Sequence, residues 1–124
     1  MPATFPLKLL DLYCGGGGAS YGYEQCGFSV TGVDIAPQPK YRGKFIQCDA
    51  IKYLMDHFHE YDIIHASPPC QKYSKSTIQF RRLGKEYPDL IGLTREALFE
   101  TKKPYVIENV PGSPLIRPIE LCNK

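Results

Sequence analysis

Apolar positions in this chain fall into short runs of two kinds, and the two kinds alternate. Residues 7–13, LKLLDLY, are almost continuously apolar and lead straight into CGGGGAS. A short apolar run closed by a glycine turn reads as a strand feeding a helix, here SYGYEQCGF, which stops at Gly27. SVTGVDI (29–35) is rich in β-branched residues and predicts a second strand ending on Asp34, after which Pro37 and Pro39 break the chain. KFIQCDA (44–50) predicts a shorter third strand ending on Asp49. AIKYLMDHFHEY places apolar residues at 51, 54, 55 and 58, which is helical spacing. DIIHAS (62–67) reads as a fourth strand. PDLIGLTREALFETKK has apolar residues at 90, 91, 93, 97 and 98, with Asp89 near the start and lysines at the end, and predicts another helix. PYVIENV (104–110) predicts a fifth strand and PGSPLIRP a loop. The one long irregular stretch is 71–88, and irregular stretches of that length are usually functional or disordered.

Alternating strands and helices, with strands that are apolar throughout, imply an α/β fold with a parallel sheet covered on both faces. In such sheets ligands bind beyond the carboxyl ends of the strands, near the point where strand order reverses. Here those ends carry Asp11–Cys14, Asp34, Asp49, Cys70 and Glu108. Five tips ending in polar or reactive side chains point to a site.

Composition adds bounds. The 124 residues suggest one domain, and 15 basic against 13 acidic residues announce no nucleic-acid partner by charge alone. No apolar run approaches the roughly 20 residues that span a bilayer, and the N-terminal residues do not resemble a signal peptide. The five cysteines (14, 26, 48, 70 and 122) are odd in number and contain no CxxC pair, which argues against a disulfide framework and a zinc site. Cys26, Cys48 and Cys122 are expected to be small buried hydrophobes, and a reducing, cytoplasmic setting fits.

Three constellations carry candidate chemistry. DLYCGGGGAS lacks both the G-x-G-x-x-G dinucleotide pattern and the G-K-[ST] phosphate loop, so the turn is expected to hold a nucleoside-like ligand without a pyrophosphate. Asp34 can accept from ribose hydroxyls and Asp49 from an exocyclic amine, although each acid alone is equally a turn residue or a helix N-cap. Cys70 follows two prolines that stiffen its backbone, the mount a nucleophile needs; taken alone, it is more often a structural cysteine. Lys72, Lys75, Arg81, Arg82 and Lys85 follow with no acid among them through residue 85, a run that favours a thiolate and suits phosphates, or is simply solvated. Glu108 and Asn109 end an apolar strand. Partial burial there would keep the acid protonated for general acid work; otherwise it is a capping carboxylate.

In this order, DLYCGGGGAS, SPPCQKYS and VIENVPG closely resemble the first, fourth and sixth motifs of the DNA (cytosine-5)-methyltransferases. Asp34 and Asp49 stand where that family keeps its second and third motif acids. The resemblance implies a Rossmann-like S-adenosylmethionine-dependent methyltransferase fold. It also implies a cofactor site built from Asp11, Tyr13, Cys14, Gly15, Gly17, Gly18, Asp34, Ile35, Asp49, Ala50 and Pro69. Tyr13, where the family usually has Phe, would stack on adenine. Cys70 would attack C6 of a cytosine drawn out of DNA, and Glu108 would protonate N3. Ser67, Gln71, Ser74, Arg81, Arg82 and Asn109 would contact the substrate.

The resemblance stops short of the family's later motifs and its target-recognition region. The sheet is therefore expected to be incomplete at the C-terminus, with residues 1–124 forming a single cofactor-binding and catalytic domain. A second polypeptide could complete the enzyme, or the chain is a truncated or minimal version, of phage or restriction-modification origin. The competing readings are a cofactor-binding relic without turnover and a transfer-RNA cytosine methyltransferase.

Overall fold

The structure is a computed structural model, and it describes residues 6–69 and 90–108. Five strands form one sheet in the order β3-β2-β1-β4-β5, every neighbouring pair parallel. The elements run β1 (Lys8–Leu12), α1 (Gly18–Gln25), β2 (Ser29–Asp34), β3 (Lys44–Gln47), α2 (Ala50–His57), β4 (Ile63–Ala66), α3 (Leu90–Thr101) and β5 (Tyr105–Ile107). The chain winds from β1 outward to β3, then returns to the other side of β1 as β4. The order therefore reverses between β1 and β4.

Strand parity gives the sheet two different faces. Leu10 and Leu12 share one with Val33, Ile64 and Ala66, and against it pack Ala50, Tyr53 and Leu54 of α2 and Ala97 and Leu98 of α3. Leu10, Leu12, Leu54, Ile64 and Leu98 are fully buried there, each contributing about 1.5–3 kcal/mol. The opposite face of β1 presents Leu9 and Asp11, level with Gly32 on β2 and His65 on β4. Helix α1 covers it with Ser20, whose hydroxyl donates to Asp11, and Tyr23, whose hydroxyl pairs with His65. One layer is oily and the other polar at its carboxyl edge.

Several boundaries differ from the sequence reading. The third strand ends at Gln47, and Asp49 turns out of it to cap α2. That helix stops at His57 and tightens into a 3-10 turn, Phe58–Glu60, instead of running to Tyr61. The fifth strand is an edge strand with Val106 45% exposed, so it is not covered on both faces. Cys26 is exposed because it is the C-cap of α1, so it is not the buried hydrophobe expected; Cys48 is half-buried and packs against the core, and Cys122 lies outside the described residues. No helix among the described residues is long and apolar enough to cross a membrane.

Candidate functional site

The ladder of backbone hydrogen bonds continues past the strand ends and aligns the tips. Cys14 N–H donates to Val33 C=O (3.0 Å), Ser67 N–H to Leu12 C=O (3.2 Å), Cys48 N–H to Asp34 C=O (3.0 Å) and Glu108 N–H to Ala66 C=O (2.9 Å). The turn after β1 and the segment after β4 thus flank the reversal point, where doubly wound sheets place their ligands.

Between β1 and α1 the backbone is left-handed three times, at Tyr13 (φ 58°), Gly15 (φ 54°) and Gly17 (φ 98°). For Tyr13 this conformation costs about 1–2 kcal/mol, and its side chain is correspondingly anchored. The phenol pairs with Thr94 on α3 at 2.9 Å, and burial, with the charges of Asp49 and Asp34, pushes it up to about 12. Above the turn there is room: a Cβ added at Gly15, Gly16 or Gly18 would meet nothing within 4 Å among the described residues. Helix α1 then starts at Gly18 with no capping side chain.

The three acids of this region take different roles. Asp34 receives Gly15 N–H at 2.9 Å on one oxygen and Ala36 N–H at 3.0 Å on the other, so it fastens the glycine turn to the tip of β2. Asp49 accepts from Lys52 N–H at 3.0 Å, the N-cap alternative noted for it. Beside these acids, Ile35 C=O accepts from Gln47 Nε2 (3.1 Å), and Ala50 is buried as the first residue of α2. Asp11 is buried, with Ser20 Oγ donating to Oδ2 at 2.6 Å and Oδ1 without a partner. Burial raises its carboxyl above the usual range; the Ser20 bond opposes that rise. Cys14 is buried nearby, and burial together with Asp11 and Asp34 pushes its thiol up to about 12, which favours the unreactive protonated form.

At the tips of β4 and β5, Ser67 Oγ donates to Glu108 Oε1 at 3.2 Å, and His65 Nε2 lies 3.0 Å from Ser67 Oγ and 3.3 Å from Glu108 Oε1. The Glu108 side chain is 56% exposed. Burial therefore does not hold this acid; hydrogen bonds do. Pro69 is half-buried beside them. Cys70, Gln71, Ser74, Arg81, Arg82 and Asn109, with the basic run Lys72–Lys85, lie outside the described residues.

The structure thus gathers Asp11, Tyr13, Cys14, the glycines and Asp34 around one turn, with Ser67 one strand away and Glu108 two. Sequence reading missed Ser20, Tyr23, Tyr41, His65 and Thr94, which hold the site from behind. His65, polar in an otherwise apolar strand, was the one visible signal. The turn suits a nucleoside-bearing ligand because, among the described residues, the space above three of its glycines is open.

A family model described as C-5 cytosine-specific DNA methylase matches residues 7–113. No curated protein matches the chain significantly. Among solved structures, a SAM-dependent methyltransferase from Agrobacterium tumefaciens is similar over 94% of this chain and 41% of its own length, with 24% identity and a TM-score of 0.60. SP1627 from Streptococcus pneumoniae TIGR4, a candidate NADH-flavin reductase, is 17% identical over 82% of this chain and 46% of its own (TM-score 0.56). The 1,6-didemethyltoxoflavin-N1-methyltransferase of Burkholderia thailandensis is 21% identical over 82% and 44% (TM-score 0.52). These likenesses establish the Rossmann-like α/β fold, and the chain spans less than half the length of each.

Proposed function

The chain belongs to the C-5 cytosine-specific DNA methylase family, and from that premise we propose that it transfers a methyl group to C5 of cytosine in DNA. The methyl donor is S-adenosylmethionine, which supplies an electrophilic methyl group on a sulfonium. Asp34 holds the ribose side of the donor, Tyr13 offers its ring to the adenine, and Asp49 lies within electrostatic reach of that ring. The open glycine turn supports this placement. The uncapped N-terminus of α1 suits a carboxylate.

The target cytosine leaves the DNA stack, because its ring atoms are unreachable within it. The Cys70 thiolate forms a bond to C6 while Glu108 gives a proton to N3, and C5 becomes the nucleophile. C5 takes the methyl group, and S-adenosylhomocysteine is the leaving group. The C5 proton then passes to water as the bond between sulfur and C6 breaks, which restores the thiolate, and N3 returns its proton to Glu108. The observation that carries the reading is that Ser67, at the tip adjacent to the glycine turn, holds Glu108 at the next tip, with Cys70 following Pro69 by one residue.

Incubation with DNA containing 5-fluorocytosine and S-adenosylmethionine should trap a covalent complex, because fluorine at C5 cannot leave as a proton. Cys70→Ser should trap none, and Glu108→Gln should trap far more slowly. Equal trapping by Cys70→Ser overturns the mechanism. Donor binding without transfer, even with partner chains supplied, favours a binding relic, and preference for tRNA over duplex DNA favours the RNA enzyme.

A further inference from the structure

A row of side chains leads from the surface of α1 through the interior to Glu108. Tyr23 Oη lies 2.7 Å from His65 Nδ1, His65 Nε2 3.0 Å from Ser67 Oγ, and Ser67 Oγ 3.2 Å from Glu108 Oε1. His65 is only 5% exposed, on β4, and the Tyr23 ring stands edge-on to it at 5.2 Å. The row ends on an exposed carboxylate whose own N–H is tied to β4 through Ala66 C=O.

Donor arithmetic gives the row a direction. Ser67 has one hydroxyl proton and spends it on Glu108 Oε1, so its oxygen accepts from His65 Nε2–H. With Nε2 protonated in the neutral ring, Nδ1 accepts from the Tyr23 hydroxyl. His65 Nε2 also lies 3.3 Å from Oε1, but its proton is directed at Ser67, so Oε1 accepts from the Ser67 hydroxyl and none of this row reaches the other oxygen.

We infer that Tyr23, His65 and Ser67 are positioning residues that hold Glu108 by Oε1 and leave Oε2 to carry the acid proton. The inference rests on the reading that Glu108 protonates the cytosine ring. In a carboxylic acid the carbonyl oxygen is the better acceptor, so an Oε1 that accepts from Ser67 keeps the carbonyl role. The proton therefore sits on Oε2. The exposed acid is oriented by a buried imidazole, and its reacting oxygen is chosen by the fold.

The test uses the full chain with nitrogen-15-labelled histidine. The expected spectrum shows His65 protonated on Nε2 with Nδ1 as an acceptor. Ser67→Ala and Glu108→Gln should each displace the Nε2 signal, and Tyr23→Phe the Nδ1 signal. A proton on Nδ1 alone, or an Nε2 signal indifferent to Glu108→Gln, overturns the inference whatever the chain's activity. In methyl transfer, Ser67→Ala and His65→Gln should lower kcat by roughly ten- to a hundred-fold, the size of a small misplacement of a reacting group, with KM for donor and DNA unchanged. Ser67→Thr, which keeps the hydroxyl, should recover most of the loss. An active wild type whose Ser67→Ala variant keeps full kcat sinks the positioning role and leaves the methyltransferase reading standing. A wild type that binds donor and never transfers sinks that reading, and the spectra then decide the hydrogen-bonded row by themselves.

Discussion

Gly32 faces the polar side of the sheet in β2, between Asp11 on β1 and Phe45 on β3. An Ala Cβ there would lie 2.6 Å from both Cζ and the hydroxyl oxygen of Tyr41, and 2.8 Å from Cys14 Sγ. Comfortable carbon contacts begin near ~3.5 Å, so the methyl overlaps two side chains at once. Retreat is blocked for Tyr41: its hydroxyl donates to Ser20 at 2.9 Å, and its ring closes over Gly17, where a Cβ would meet it at 2.8 Å. The strand backbone cannot yield either, since it is paired on both sides. Overpacking costs about 1–3 kcal/mol, and losing the Tyr41–Ser20 bond adds about 1 kcal/mol. The entropic gain of replacing glycine, about 0.4–1 kcal/mol, is too small to reverse the sign. Gly32→Ala should therefore destabilise the chain by about 1–3 kcal/mol net, or roughly 4–12 °C in Tm. Urea unfolding followed by circular dichroism reads this directly. In a Tyr41→Ala background only the Cys14 contact remains, and the cost should fall by more than half. A Gly32→Ala variant as stable as wild type, or equally costly in both backgrounds, refutes the reasoning.

Tyr13→Phe should cost about 1–2 kcal/mol in the same unfolding assay, because it deprives the fully buried Thr94 hydroxyl of its partner. Adding Thr94→Val should restore most of that loss, and two additive losses would refute the pairing. Asp11 has a folded-state value raised above 3.8 by burial, so the stability linked to its protonation is complete below that value and drains away as pH rises through the folded one. Asp11→Asn should accordingly show a flatter decline in urea midpoint as pH rises above about 4; parallel profiles would refute the assignment. Mass-mapped alkylation near pH 8 should modify exposed Cys26 and spare buried Cys14, whose thiol is pushed up to about 12, until urea unfolds the chain. Early labelling of Cys14 would contradict its burial.

The element order was legible because two periodicities, apolar runs and helical spacing, are written locally and survive without partners. Boundaries were less so. Asp49 ends a strand or caps a helix according to which backbone N–H comes within reach of its carboxylate, and only the folded turn settled that in favour of Lys52. Cys26 looked like a core residue from residue type alone, yet it follows a helix of eight residues and faces solvent.

By itself the sequence determined the alternation of strands and helices, the glycine turn and the polar strand tips, since each depends on neighbours along the chain. It also carried the family, because the motifs are contiguous words. Tertiary structure alone decided that β1 and β4 lie side by side, that Asp11 is buried with one oxygen unpartnered, and that Ser67 and His65 both reach Glu108. Those facts join residues 41 to 54 positions apart, and no local pattern encodes which strands will be neighbours.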